Sequence, residues 1–443
     1  MTRSLRALAL LTVGAAGAVA LTGCGGGSGG EAEGTIDYWL WDANQLPAYK
    51  QCAEDFHKEN PDITVKITQT AWDDYWSKLT NAMAAGTAPD VFTDHLSKYA
   101  DFVNTKQLLE IDTSDVDLSQ YAEGLADLWV GQDGKQYGLP KDWDTIAVFY
   151  NKAMAEEAGI TPEQMSALTW NPEDGGTYEQ VIARLTVDKN GVRGDEPGFD
   201  KSNVAVYGLG LNASGAGMGQ TEWSYLTGTT GWTHTDDNPW GTHYNYDDPR
   251  FQDAIAWWAS LVEKGYMPRL ETVVGGSMAD NYGASKTAMT TDGSWMVGQY
   301  TGYDGIETGI VPTPVGPSGK NASMFNGLAD GIWAGTDDKE AATKWVSYLA
   351  STACQDVVGE MAVVFPAITS STEKAKAAFA EKGVDIAPFT DHVANGTTFL
   401  FPITDHAAKI AGIMEPAMDA LLTGQAEPDS LTGANEQVNA LFE

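Results

Sequence analysis

Cysteine is scarce in this chain, three residues in 443, too few for a small scaffold stapled by several disulfides. The six histidines show no metal-site spacing. Positive charge is short as well: 26 Lys+Arg face 61 Asp+Glu, a formal balance of −35. Nucleic acid is thereby excluded as a partner, because its binding needs cations to neutralise phosphates, and an anionic membrane surface is disfavoured by the same repulsion. Beyond residue 21 no hydrophobic run approaches 18 residues, so no later segment is expected to span a membrane. Missing too are a G-x-S-x-G elbow between a strand and a helix, an H-E-x-x-H helix and a Walker phosphate loop, and no cofactor is implied. What the chain has is apolar mass. With 43% hydrophobic residues and 15 tryptophans, it can bury enough surface to offset chain entropy, as two domains or one large one.

The first residues set an address. Arg3 and Arg6 precede an apolar stretch from Ala7 to Leu21, the pattern of a secretion signal too short for a secure span. Leu21-Thr22-Gly23-Cys24 resembles the lipobox of bacterial lipoproteins, which implies removal of residues 1–23 and a lipid on Cys24. The glycine-rich stretch 24–34 then reads as a flexible tether. Loss of the leader removes two basic residues and no acidic one, so the remainder is more negative still. Cys52 and Cys354 are left over. In an oxidising compartment a Cys52–Cys354 disulfide and two buried free thiols both fit.

The body opens with alternating strands and amphipathic helices. Residues 36–40 alternate, a helix with Tyr49, Cys52, Ala53 and Phe56 on one face follows, and Pro61 stops it. A strand at 63–67, a helix carrying Tyr75, Leu79 and Met83, and a buried strand at 90–92 complete a β-α-β-α-β run. That order predicts an α/β fold with a parallel sheet and ligands beyond its carboxyl edge. Gly138–Tyr150 reads as strand-like, and helices are predicted at 153–158, 178–185, 251–264, 338–349 and 410–422. The polar, glycine-rich stretch 212–248, with Trp223, Trp232 and Trp240, is too long and too aromatic for a linker and reads as a binding loop.

Four segments carry a family resemblance. Ala88-Pro89-Asp90-Val91-Phe92, Gly134 to Pro140 running on to Asn151-Lys152, Ala288-Met289-Thr290 with Asp292-Gly293-Ser294-Trp295, and Ile310-Val311-Pro312 followed by Phe325-Asn326-Gly327 occur in one order. In that order and spacing the chain resembles the extracellular solute-binding proteins of ABC sugar importers, the maltose-binding-protein-like family 1, over nearly all of residues 35–443. The resemblance implies a two-lobed periplasmic-binding-protein-like fold of class II, two parallel or mixed sheets flanked by helices around a hinged cleft. Lobe one would hold 35–141 and 326–367, and lobe two 142–325 and 368–443. It implies an oligosaccharide ligand, delivery to ABC permease subunits driven by their ATPase, membrane attachment through the lipid alone, and a monomer.

A pyranose offers apolar C–H faces that stack on rings and a rim of hydroxyls that donate and accept. Candidate contacts are therefore aromatic and polar residues at loops and lobe crossings. Trp41, Asp42 and Asn44 follow the first strand, and Asp94 and His95 the third. Trp143 and Asp144 stand at a crossing, Glu222 and Trp223 in the long loop, and Asp292 and Trp295 at the aromatic turn. Asn326 and Asp330 flank the return to lobe one, and Asp405 and His406 precede the last long helix; for these four a capping or structural role fits as well. Asp188, Asn190, Asp195 and Glu196 resemble part of a calcium loop, but position five is Val192 and no Glu stands at position twelve, so a solvated turn is the better reading. A secreted glycoside hydrolase and an adhesive surface lipoprotein are the rival functions. Carboxylate pairs such as Asp73-Asp74 do not argue for the first, because 61 acidic residues produce such pairs by chance.

Overall fold

The computed structural model describes residues 34–213 and 217–443. The expected leader, Cys24 and the tether as far as residue 33 lie outside the described residues. Strands β1 (Thr35–Leu40), β2 (Thr64–Gln69), β3 (Val91–His95), β4 (Leu139–Asp144), β5 (Ile146–Asn151), β6 (Val187–Asp188), β7 (Val204–Leu209), β8 (Thr287–Gly293), β9 (Thr308–Val311), β10 (Ser323–Ile332), β11 (Phe365–Pro366) and β12 (Thr398–Leu400) form two sheets. The first has the order β11-β4-β10-β3-β1-β2, with β12 beside the start of β10, and the second β6-β7-β8-β5-β9. Strand β1 is parallel to β2 and β3 because helices α1 (Leu46–Glu59) and α2 (Trp72–Ala85) carry the crossovers. Strand β10 runs antiparallel to β3 and β4, which makes the first sheet mixed.

Local sequence explains the boundaries. Helix α1 buries Ala48, Tyr49, Cys52 and Phe56 at helical spacing. Helix α2 ends at Gly86, whose φ of +70° suits the left-handed cap. Helix α3 (Leu96–Asn104) starts from His95, whose Nδ1 accepts from the Ser97 backbone N–H at 3.1 Å. Cys52 on α1 and Cys354 on the helix Thr352–Met361 form a disulfide with a Cα–Cα distance of 5.2 Å, inside the first core.

The stretch read as one strand from Gly138 to Tyr150 is two strands in different sheets, separated by the single residue Thr145. The crossing is stitched on all sides. The Thr145 hydroxyl donates to the Phe389 carbonyl (2.9 Å), its carbonyl accepts from Ser294 N–H (3.0 Å), and Ile146 N–H donates to Ser323 Oγ (2.7 Å). The chain returns between Val311, the end of β9, and Ser323, the start of β10. Beyond residue 368 the helix Thr369–Glu381 buries Ala375 and Phe379 in the first core, whereas side chains from Ile410 onward belong to the second. Phe389 lies between, with ring contacts to Phe365 at 6.4 Å and to Phe149 at 5.8 Å.

The calcium-like loop has a structural use. Asp188 accepts from the backbone N–H groups of Asn190 (2.8 Å), Val192 (3.0 Å) and Asp200 (3.0 Å), while Asp195 and Glu196 face Arg184. The carboxylate that would lead a cation site is committed to closing a turn, and the other acids turn to an arginine.

Candidate functional site

Strand alternation assembles the first wall. Register sets Asn326 opposite Asp144, and Leu328 opposite both Asp142 and His95, so these side chains share one face of the first sheet. Trp143 falls between and points to the other face, where it stacks on Phe325 (5.9 Å) and Phe365 (4.8 Å); the expected cleft residue is a core residue. His95 is buried, and that burial lowers its pKa to about 3, so its ring is neutral near pH 7. Because Nδ1 accepts from Ser97 N–H, Nε2 carries the proton. The Asn326 amide, 2.9 Å from Nε2, must therefore meet it through Oδ1 and turn its NH2 toward the site. Asp94 accepts from His95 N–H through Oδ1 (2.8 Å), while its Oδ2 has no partner.

Above this face stands an aromatic cluster. Trp41 lies 5.1 Å from Trp72, 5.2 Å from Tyr75 and 5.3 Å from Trp76, and Trp72 lies 5.4 Å from His95. The three tryptophans are half-buried, so each keeps surface for a ligand. Sequence reasoning found Trp41 but missed Trp72 and Trp76. The available signal was their i, i+4 spacing, which gives α2 a second aromatic stripe beside the buried one of Tyr75, Leu79 and Met83. Further along the same face, Asp330 accepts from the Tyr38 hydroxyl (2.8 Å) and the Thr93 hydroxyl (2.9 Å), with Lys141 Nζ at 3.9 Å. Asp330 is thus a buried anchor of the sheet. Asp42 accepts from Asn44 N–H (2.8 Å) and from Gln45 Nε2 (2.9 Å), and Asn44 itself is exposed.

The second wall comes from β8 and the loop before residue 224. Asp292 accepts from Gly293 N–H (2.8 Å) and from the Tyr300 hydroxyl (2.8 Å), and Glu222 from the Thr221 hydroxyl (2.6 Å) and N–H (3.2 Å). Burial raises both carboxyl groups to about 7, and it does the same to Asp144 on the first wall. Trp295 is half-buried, and its ring lies so close to Gly293 that a Cβ there would meet it at 1.9 Å. Trp223 is fully buried against Phe251 (5.2 Å), Trp232 (6.3 Å) and His234 (5.8 Å), a second-core residue rather than an open platform.

The two walls touch. The Ser294 hydroxyl donates to Asp144 Oδ1 (2.9 Å) and the Gln220 side chain reaches His95, which on its own side meets the Phe401 ring edge-on at 5.5 Å. Two small cavities, each about 10 Å³, open beside them. One is lined by Trp41, Asp42, Gln45, Tyr49, Lys141 and Leu328 among others, the second by Glu222, Thr291, Met278 and Trp258 among others. Each holds about one water. Asp405 stands at the rim, where Asn104 and Gln132 donate to it, and His406 packs edge-on against Phe442 at 5.5 Å.

Residues 51–384 match the profile of bacterial extracellular solute-binding proteins. A lactose-binding protein of Rhizobium radiobacter is 32% identical over 31% of this chain and 34% of its own length. A maltodextrin-binding protein of Bacillus subtilis is 26% identical over 72% of this chain and 70% of its own. Among solved structures, an ABC substrate-binding protein of Listeria monocytogenes in complex with cycloalternan superposes with a TM-score of 0.77 at 20% identity, over 92% of this chain and 98% of that one. Two mixed sheets joined through a stitched crossing, polar groups gathered where they meet and a profile match across most of the chain lead to one conclusion: the protein belongs to the family of bacterial extracellular solute-binding proteins.

Proposed function

We propose that the protein binds an oligosaccharide outside the cell and passes it, without chemical change, to an ABC permease powered by its ATPase. The observation that carries this reading is the cluster of half-buried Trp41, Trp72 and Trp76 beside Asp42, Asp144 and His95: stacking platforms next to hydroxyl-binding groups. The sugars named for the lactose- and maltodextrin-binding relatives support it. Asp292 and Glu222 are each 6% exposed, so a ligand reaches them when the walls part. We divide the chain into lobe one, 35–144 and 323–403, and lobe two, 146–311 and 410–443, and assign the hinge to Thr145, the stretch 312–322 and the stretch 404–409. The sugar stacks on the first wall, and contacts from Asp292, Glu222 and Trp295 then favour the closed form. A lipid on Cys24 holds the monomer near the permease and raises its local concentration there.

The test is calorimetry against a panel of oligosaccharides, with reducing-end release measured in parallel. Saturable binding of at least one oligosaccharide with no release is expected. Release at catalytic protein concentrations would overturn the assignment in favour of a glycoside hydrolase.

A further inference from the structure

The cavity beside Trp41 holds an imbalance that a neutral sugar does not correct. Gln45 is 3% exposed, and its Nε2 donates to Asp42 Oδ2 at 2.9 Å. A carboxylate has no proton to give, so the Gln45 amide can point only one way, and its Oε1 is left without a partner. Asp142 is fully buried, and among the described residues neither of its carboxylate oxygens has a partner. Register puts Asp142 on the same sheet face as Leu328, which lines this cavity together with Asp42, Gln45, Tyr49 and Lys141. Gln45 Oε1 can only accept, and both Asp142 oxygens can accept once the group is ionised.

Charge repeats the pattern. Asp42, Asp142, Asp144 and Asp330 gather around one cation, Lys141, and that cation is already engaged. Its Nζ lies 3.1 Å from Thr93 Oγ1, 3.3 Å from the Tyr38 hydroxyl and 3.9 Å from the centre of the Tyr49 ring. Burial, with Asp144 beside it, pushes the Asp142 carboxyl well above the usual range, so its ionised form is costly, and that cost is relieved by a group that brings a donor and a positive charge. A sugar hydroxyl brings one donor but is itself an acceptor. An ammonium brings three donors, a full charge and no acceptor.

We propose that this pocket of the first wall receives a protonated primary amine carried on a saccharide unit, so that the ligand class is an amino-sugar oligosaccharide. The inference rests on the oligosaccharide reading and narrows it. Asp142 and Gln45 accept from the ammonium, Asp42 and Asp144 are neighbouring carboxyl groups that its charge favours in the ionised form, and Trp41 borders the sugar ring that carries it.

Calorimetry with matched disaccharide pairs tests this: a neutral β1,4- or α1,4-linked disaccharide against its 2-amino-2-deoxy counterpart, and against the N-acetylated form, which keeps the nitrogen but loses the charge. In at least one pair the amino member is expected to bind at least about tenfold more tightly than the other two, the scale of a charge-assisted contact. Asp142→Asn, close to isosteric, is expected to bring that preference to within about twofold while neutral binding persists. Gln45→Met gives a second reading should Asp142→Asn fold poorly. Neutral members binding as well as or better than amino members would overturn the amine while leaving the oligosaccharide reading intact. Failure of every sugar, neutral oligosaccharides of the broader panel included, would overturn both.

Discussion

The two walls of the cleft use the same residue types to different ends. On the second wall each named carboxylate is satisfied from within: Asp292 by Tyr300 and Gly293, Glu222 by Thr221. On the first wall neither oxygen of Asp142 has a partner among the described residues. The tryptophans divide in the same way. Trp223, Trp232 and Trp258 are buried in the second core, whereas Trp41, Trp72 and Trp76 keep exposed surface on the first wall. A satisfied, packed wall is built to hold a shape, and an unsatisfied, half-exposed one is built to take up a ligand. The first core is also braced by the Cys52–Cys354 disulfide, which closes a loop across 302 residues.

The sharpest way to break this contrast is a truncation on the packed wall. Trp223→Ala should cost roughly 3–5 kcal/mol of folding stability, as for other buried aromatics, with affinity in the folded fraction nearly unchanged. Denaturant unfolding and calorimetry separate the two readouts; lost affinity at full stability would make Trp223 a platform after all. Next in size, Cys52→Ser should lower stability by roughly 2–4 kcal/mol, in the range for a long closed loop. The first core should then unfold before the second, visible as a split transition in hydrogen exchange.

Trp41→Ala should weaken oligosaccharide binding by roughly 1–3 kcal/mol, the lost ring contact plus its burial. Trp295→Ala, half-buried on the opposite wall, should fall in the same range. If Trp295→Ala leaves affinity unchanged while Trp41→Ala abolishes it, stacking belongs to the first wall alone.

The smallest effect is a pH slope, and its sign is fixed by the walls. Asp144, Glu222 and Asp292 have folded pKa values near 7, above those of the unfolded chain. From about pH 4 to about pH 7 the folded state therefore holds more protons, and these groups lower stability as pH rises through that window. His95 and His234, lowered to about 3, act in the opposite sense, but their contribution is half made at about pH 6.5, the unfolded value, and fades over the next unit, where the three carboxyl groups outweigh it. The melting temperature should therefore fall between about pH 6.5 and pH 8, and Asp292→Asn should flatten the fall. A melting temperature that rises over this range would contradict the burial of these carboxyl groups.

Much of the architecture was legible in the sequence. Alternation at residues 36–40 and helical spacing at Tyr49, Cys52 and Phe56 are local patterns, and β1 and α1 follow them. Trp41 and Asp42, which follow β1, and His95, which ends β3, could be named because they stand at the carboxyl edge of an α/β sheet. Trp143 could not be placed, because one residue of register decides which face of β4 it takes, and that register is set by pairing with β10, nearly 200 residues away in sequence. Asp142 was invisible for the same reason. It looks like any other acid until β10 pairs beside it and, among the described residues, no donor arrives.

By itself, then, the sequence determined the acidic character of the chain, the order of strands and helices, and the supply of aromatic and polar groups from which a sugar site is made. These are matters of composition and of contacts a few residues apart. Tertiary structure alone decided which tryptophans are core and which are wall, which carboxylates found partners, and where Thr145 hands the chain from one sheet to the other. Each of those depends on what packs against a residue from far along the chain, and no local pattern records it.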